Sequence, residues 1–188
     1  VNLRAKTTAA AGLALAAGLT AALVVTSSSA GAAPSETAGD ATAAADVPPA
    51  LMPPAGHVQI AVLPAAGVQV YQCAAGAWAF VEPAANLAGV ARRPRGVHTA
   101  VHFRGPSWQS TVDGSLVEAG AVASSPVPGS IPELLLQSRR NRGDGLFGPV
   151  TYIQRLRTSG GVAPAGACTD GATTGVPYRA EYRFFAPA

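Results

Sequence analysis

Lysine is all but missing from this sequence. Lys6 is the only one among thirteen basic residues, so every other cation is an arginine, a bias that fits a high-GC bacterial genome. Charge of either sign is scarce, at 12% of the chain, and the formal net charge is +3. Discounting Arg4 and Lys6, which lie in a leader segment described below, brings it to about +1. A balance so near neutral argues against nucleic-acid binding as the main task. There are only two cysteines, with no Cys-x-x-Cys spacing and no third ligand beside either, which argues against a cysteine metal or redox centre. No Gly-x-Ser-x-Gly elbow is present. No repeat of solenoid period appears. The two arginine clusters, Arg92-Arg93-Pro94-Arg95 and Arg139-Arg140-Asn141-Arg142, read as solvated loops, with an anion-binding patch as the alternative.

The ends of the chain differ sharply from its middle. Arg4 and Lys6 precede an uncharged Ala/Leu/Val run from Thr7 to Val25, and small residues follow up to Ala30-Gly31-Ala32. That layout predicts a secretory signal peptide over residues 1–32, rather than a membrane anchor, with no stable membrane span left after cleavage. Residues 33–46 hold nothing apolar of size and are expected to form a disordered linker. A Pro-rich lead-in from Val47 to Pro54 opens a single β domain over residues 47–188, large enough to bury about two-thirds of its unfolded surface. In an exported chain, Cys73 and Cys168 are expected to pair. The expected location is secreted or extracytoplasmic.

Within the domain, period-two alternation dominates. His57–Leu63 reads as a strand, Pro64–Gly67 as a turn and Val68–Cys73 as the return strand. Ala75-Gly76 turns the chain into Ala77–Glu82, and Pro83–Arg95 reads as a loop. Val97 to Phe103 alternates cleanly, with His98, Ala100 and His102 on one face. Gly105-Pro106 breaks it, Ser107–Val112 resumes, and Asp113-Gly114 marks a hairpin turn that leads into Leu116–Ser124. Ser130-Ile-Pro-Glu133 resembles a helix capping box and predicts one short helix through Arg140. Val150–Thr158 and Val176–Phe184 are strong strands; in the latter Arg179, Glu181 and Arg183 are expected to face water. The fold class is therefore all-β: an antiparallel β-sandwich or barrel of about eight strands with one short helix.

Several stretches in order carry a resemblance. They are Tyr71-Gln-Cys73 followed by Trp78, His102-Phe-x-Gly-Pro-Ser-Trp108, Asp113-Gly-Ser115, Ile131-Pro-x-Leu-Leu-Leu136, Val150-Thr-Tyr-Ile-Gln-Arg155, Thr158-x-Gly-Gly-x-Ala-Pro164 and Tyr178-x-Ala-x-Tyr-x-Phe184. Together they resemble the family called domain of unknown function 3455, over nearly all of the folded part. The resemblance implies an exported bacterial or fungal protein of one domain, with no catalytic residues to carry over. Some relatives bear a dehydrogenase label, and Gly143-Asp-Gly145-Leu-Phe-Gly148 does spell a Gly-x-Gly-x-x-Gly fingerprint. It lacks the strand before and the helix after that a dinucleotide site requires, and reads as a turn.

The remaining chemistry centres on residues 96–115. His98 and His102 share a strand face about 13 Å apart, too far for one metal ion, so no metal and no cofactor is expected. His102, Trp108 and Asp113 are the candidate ligand-binding residues, with Gln154 as a polar fixer. Trp78, Tyr71, Tyr152 and Tyr178 either line the same pocket or form core. The leading expectation is an exported, disulfide-stapled β domain that binds an extracellular or envelope ligand or partner. The alternatives are a secreted hydrolase using His102 and Asp113, or a structural or stress-related envelope protein.

Overall fold

The computed structural model describes residues Val47–Ala188. The signal peptide and linker expected over residues 1–46 lie outside the described residues. A 3-10 turn at Pro49–Leu51 precedes eight strands: β1 (His57–Ala74), β2 (Ala77–Arg92), β3 (Arg95–Phe103), β4 (Ser107–Ser110), β5 (Leu116–Ser125), β6 (Glu133–Arg142), β7 (Tyr152–Gly160) and β8 (Thr173–Pro187). Each pairs antiparallel with the next, and β8 pairs back onto β1, so one sheet closes into an up-and-down barrel. Closure leaves no strand at the edge of the sheet. None of the described residues forms a helix long and apolar enough to cross a membrane.

Four local readings of the sequence are corrected by this fold. The segment expected to be a helix is strand β6, paired with β5 and β7. Leu136 packs into the barrel core while Leu135 packs outside it against Leu51 and Leu156. A run buried on both faces has no two-fold alternation to betray it, so its periodicity cannot separate strand from helix. The expected turn at Pro64–Gly67 is the middle of the 18-residue β1. Leu63 and Pro64 fall in a gap of the β1–β2 ladder, where register passes from Val62↔Val90 to Ala65↔Leu87, so the missing proline N–H costs no bond on that side. Pro83 likewise sits within β2, beyond the last pairing with β3 at Ala85↔His102, and the expected loop after it is strand. Gly67 lets β1 and β2 close tightly, since a Cβ there would lie 2.2 Å from the Ala84 carbonyl oxygen. In β8, Arg183 turns out 9% exposed rather than facing water, and its Nε donates to Glu181 at 2.7 Å.

Strand direction alternates, so the connections fall into two groups. The turns at 75–76 and 104–106 and the loops at 126–132 and 161–172 gather at one end of the barrel. The turns at 93–94 and 111–115 and the loop at 143–151 gather at the other. Trp108, Tyr182, Phe184, Ile153 and Val117 fill the middle of the barrel. Leu146 and Phe147, from the 143–151 loop, are wholly buried in the same core and plug the second end. The lead-in, through Val47 and Leu51, straps the outer face of β6 and β7.

Candidate functional site

The first end is not plugged. A cavity of about 550 Å³ opens there, within the range typical of small-molecule sites. Its walls are mainly apolar: Phe80, Val81, Pro83, Ile131, Leu134 and Leu136. Its polar groups come from separate strands that the barrel brings together: Gln69 and Tyr71 from β1, His102 from β3, Trp108 from β4, Arg155 from β7 and Tyr182 from β8. Arg104 and Gly105-Pro106 stand at its rim.

His102 and Trp108 form the floor as a stacked pair, ring centroids 4.1 Å apart and planes 9° off parallel. Tyr182 meets both edge-on, at 5.3 and 5.4 Å. The pair is adjacent because β3 and β4 place His102 directly opposite Trp108. His102 Nδ1 lies 2.8 Å from the Ser107 carbonyl oxygen. A carbonyl only accepts, so Nδ1 carries the proton and the neutral ring leaves its lone pair on Nε2. Burial pushes the His102 pKa down to about 3; the Ser107 bond opposes this and the Arg155 charge adds to it. The imidazole is therefore uncharged at physiological pH.

Arg155 is the one charged side chain reaching in from the wall. It follows Ile153 on the inward face of β7, and its Nε and Nη2 both donate to the Pro132 carbonyl, at 3.0 and 2.8 Å. No carboxylate among the described residues lines the cavity. Arg155 acts electrostatically on Tyr71, His102, Tyr178 and Tyr182. In the three tyrosines burial raises the pKa and Arg155 opposes it, so each phenol stays protonated at neutral pH. Tyr71 donates to the Gly161 carbonyl at 2.7 Å. Gln69 Nε2 and Trp108 Nε1 are buried and close no hydrogen bond among the described residues; the buried hydroxyls of Tyr178 and Tyr182 interact with each other, and that of Tyr182 with Arg155, without closing a well-formed hydrogen bond. Such groups are uncommon in folded proteins, and each one invites an explanation.

Of the four residues singled out from the sequence, the structure brings two together. His102 and Trp108 share the cavity floor. Asp113 sits in the β4–β5 turn and belongs to the plugged end. Its Oδ1 accepts the Ser115 N–H at 2.9 Å and the Ser115 hydroxyl at 2.6 Å, and its Oδ2 accepts the Leu146 N–H at 3.0 Å. Partial burial works against the Asp113 carboxylate, but these bonds, with help from Ser110, bring its pKa down to about 2. His102 and Asp113 thus bond to different partners, and no His–Asp pair forms. Gln154 points out of the barrel: its Nε2 donates to the Leu51 carbonyl at 2.7 Å and anchors the lead-in strap. Trp78, Tyr152 and Tyr178 do not line the cavity. His98 donates Nε2 to the Pro94 carbonyl at 3.2 Å.

The glycine-rich loop is explained by the same plug. A Cβ on Gly145 would lie 2.2 Å from the Asp113 carboxyl carbon, so only glycine lets the carboxylate reach the Leu146 N–H. Ser115 Oγ accepts from the Phe147 N–H at 2.9 Å, and Asn141 Nδ2 donates to the carbonyls of Phe147 and Val150 at 2.7 and 2.9 Å.

At the open end, Cys73 and Cys168 form a disulfide between β1 and the 161–172 loop. The Cys73 N–H also donates to the Ala172 carbonyl at 2.8 Å. The family model for proteins of unknown function, DUF3455, matches residues 54–186. The chain belongs to that family. The DUF3455 match runs from just before β1 nearly to the end of β8, so it takes in both the cavity and the plug. Neither curated proteins nor solved structures gave a match. Within the DUF3455 segment, Arg155, Tyr182 and Gln69 line the cavity, though the alternation of polar and apolar residues did not single them out. The available signal was parity: Arg155 shares its face of β7 with the wholly buried Ile153.

Proposed function

We propose that this DUF3455 protein is an exported binding domain that holds a small, largely apolar molecule in the open end of its barrel. The reading rests on one observation: the barrel is packed and plugged at one end, yet keeps at the other a cavity with unpartnered buried polar groups at its floor and wall. Barrels of about eight strands are just wide enough either to fill with side chains or to hold one small ligand. The Cys73–Cys168 bond is consistent with an extracytoplasmic location. On this reading residues 1–32 are a signal peptide and residues 33–46 a linker. Intact-mass measurement on exported protein should then show loss of about 32 residues.

Nile red, a neutral apolar dye, tests the cavity. The protein should bind it with one-to-one stoichiometry and a fluorescence increase. Ala121 lines the cavity from β5 and is exposed, so Ala121→Trp fills the opening without disturbing the packed core. That variant should keep the wild-type melting temperature and lose the dye. Dye binding unaffected by Ala121→Trp, or none in the wild type, would overturn the reading and favour a structural role.

A further inference from the structure

Arg155 is a guanidinium half-buried in a mostly apolar wall, and no carboxylate pairs with it among the described residues. A buried charge ordinarily has a partner, because losing water is costly without one. Its two bonds to the Pro132 carbonyl use two of five N–H donors and supply no negative charge. Trp108 Nε1–H is a donor-only group, 1% exposed and unpartnered, and the wholly buried Tyr182 hydroxyl interacts with Arg155 and Tyr178 without closing a well-formed hydrogen bond; both Trp108 and Tyr182 line the cavity. Arg104 adds a second cation at the rim, paired with Glu82 at 3.4 Å. A site with these donors and no acidic lining disfavours cationic ligands. It leaves unmet what a planar anion supplies: a charge for one guanidinium and several lone pairs for surrounding N–H and O–H groups.

We propose that the molecule held in the cavity is a monocarboxylate with an apolar body, its carboxylate docked on Arg155 beside Tyr182 and its body against the His102–Trp108 floor and the leucines of β6. This rests on the cavity reading above and adds the chemical class of ligand. One interior arginine matches one negative charge; a dianionic phosphate would be left half neutralised. Ionised partners strengthen hydrogen bonds roughly twofold over neutral ones, so the head group, not the body, sets the preference.

Calorimetric titration with decanoate, decan-1-ol and decyl phosphate tests this, since the three share one tail. The wild type should bind decanoate at least about tenfold more tightly than decan-1-ol, a gap of about 1.4 kcal/mol. In Arg155→Gln that ratio should fall to about one, with decan-1-ol affinity held within about twofold. Arg155→Lys retains the charge without the fork and should keep a reduced preference for decanoate, which gives a second reading should the glutamine variant fail to fold. Equal affinities for acid and alcohol in the wild type would overturn the carboxylate assignment while leaving the cavity intact. So would a preference for decanoate that survives Arg155→Gln, or tighter binding of decyl phosphate. Failure of all three ligands together with Nile red would overturn the cavity reading and this one with it.

Discussion

The two ends of the barrel are held by opposite means. At the plugged end every polar group of the knot is spoken for: Asp113 serves Ser115 and Leu146, Ser115 serves Phe147, and Asn141 serves Phe147 and Val150. Two wholly buried apolar side chains complete the packing. At the open end the space between strands is unfilled, Gln69 Nε2 and Trp108 Nε1 lack partners beside it, and a disulfide joins β1 to the loop before β8. An end that cannot be held by its own filling is held by a covalent bond. Aspartate and histidine, equally suggestive in a sequence, therefore do different work: Asp113 closes a structure, and His102 floors a cavity.

The largest effect should come from the covalent side of this contrast. The crosslink spans 95 residues, for which the chain-entropy model gives about 4–5 kcal/mol, less any native strain. Replacing both Cys73 and Cys168 with serine should lower the guanidinium unfolding free energy by about that amount. A loss below about 1 kcal/mol would show that the open end needs no staple. At the other end, Asp113→Ala removes an acceptor of three hydrogen bonds and should cost about 2 kcal/mol, with Nile red affinity unchanged. A variant of wild-type stability that no longer binds the dye would reverse the roles given to the two ends.

A third test uses pH. The His102 pKa lies near 3 in the folded state, below the ordinary 6.5. Between those values the unfolded chain binds the extra proton and the folded chain does not, so acid favours unfolding. Stability should fall as pH drops below about 6.5, by up to about 1.4 kcal/mol per pH unit. Asp113 acts with the same sign but only between its ordinary 3.8 and about 2. A window from pH 6.5 to 4.5 therefore separates His102 from Asp113. Denaturant titrations of His102→Phe should show a flatter slope across that window; an unchanged slope would mean the ring is not buried as a neutral base.

How legible this contrast was depended on which force dominated each segment. Val97–Phe103 and Tyr178–Phe184 each bury one face and leave the other more exposed, and alternation exposes such strands directly. The turns at Ala75-Gly76 and Asp113-Gly114 carry residues that tolerate positive φ, and the cysteine pairing followed from their number. β6 was opaque because the strap through Leu51 covers its outer face, a contact made by residues more than eighty positions earlier. Pro64 and Pro83 read as breaks because their meaning depends on ladder gaps that exist only once the neighbouring strands are placed. The site was half visible for the same reason. Cross-strand neighbours His102 and Trp108 are close in sequence, whereas Arg155 and Tyr182 reach them only through barrel closure.

That closure also sets a timetable. His57 pairs with Pro187, 187 minus 57 or 130 positions away, while every other strand pairs with its sequence neighbour. The seven other pairings join strands adjacent in the chain and can form as soon as their residues exist. The eighth seam waits for the end of the chain. Loop closure over such a distance is entropically slow, so the rate-limiting event in folding should be the docking of β8 on β1. Until then the long edge of β1 is open, and the cavity, whose floor includes Tyr182, has not yet come into being.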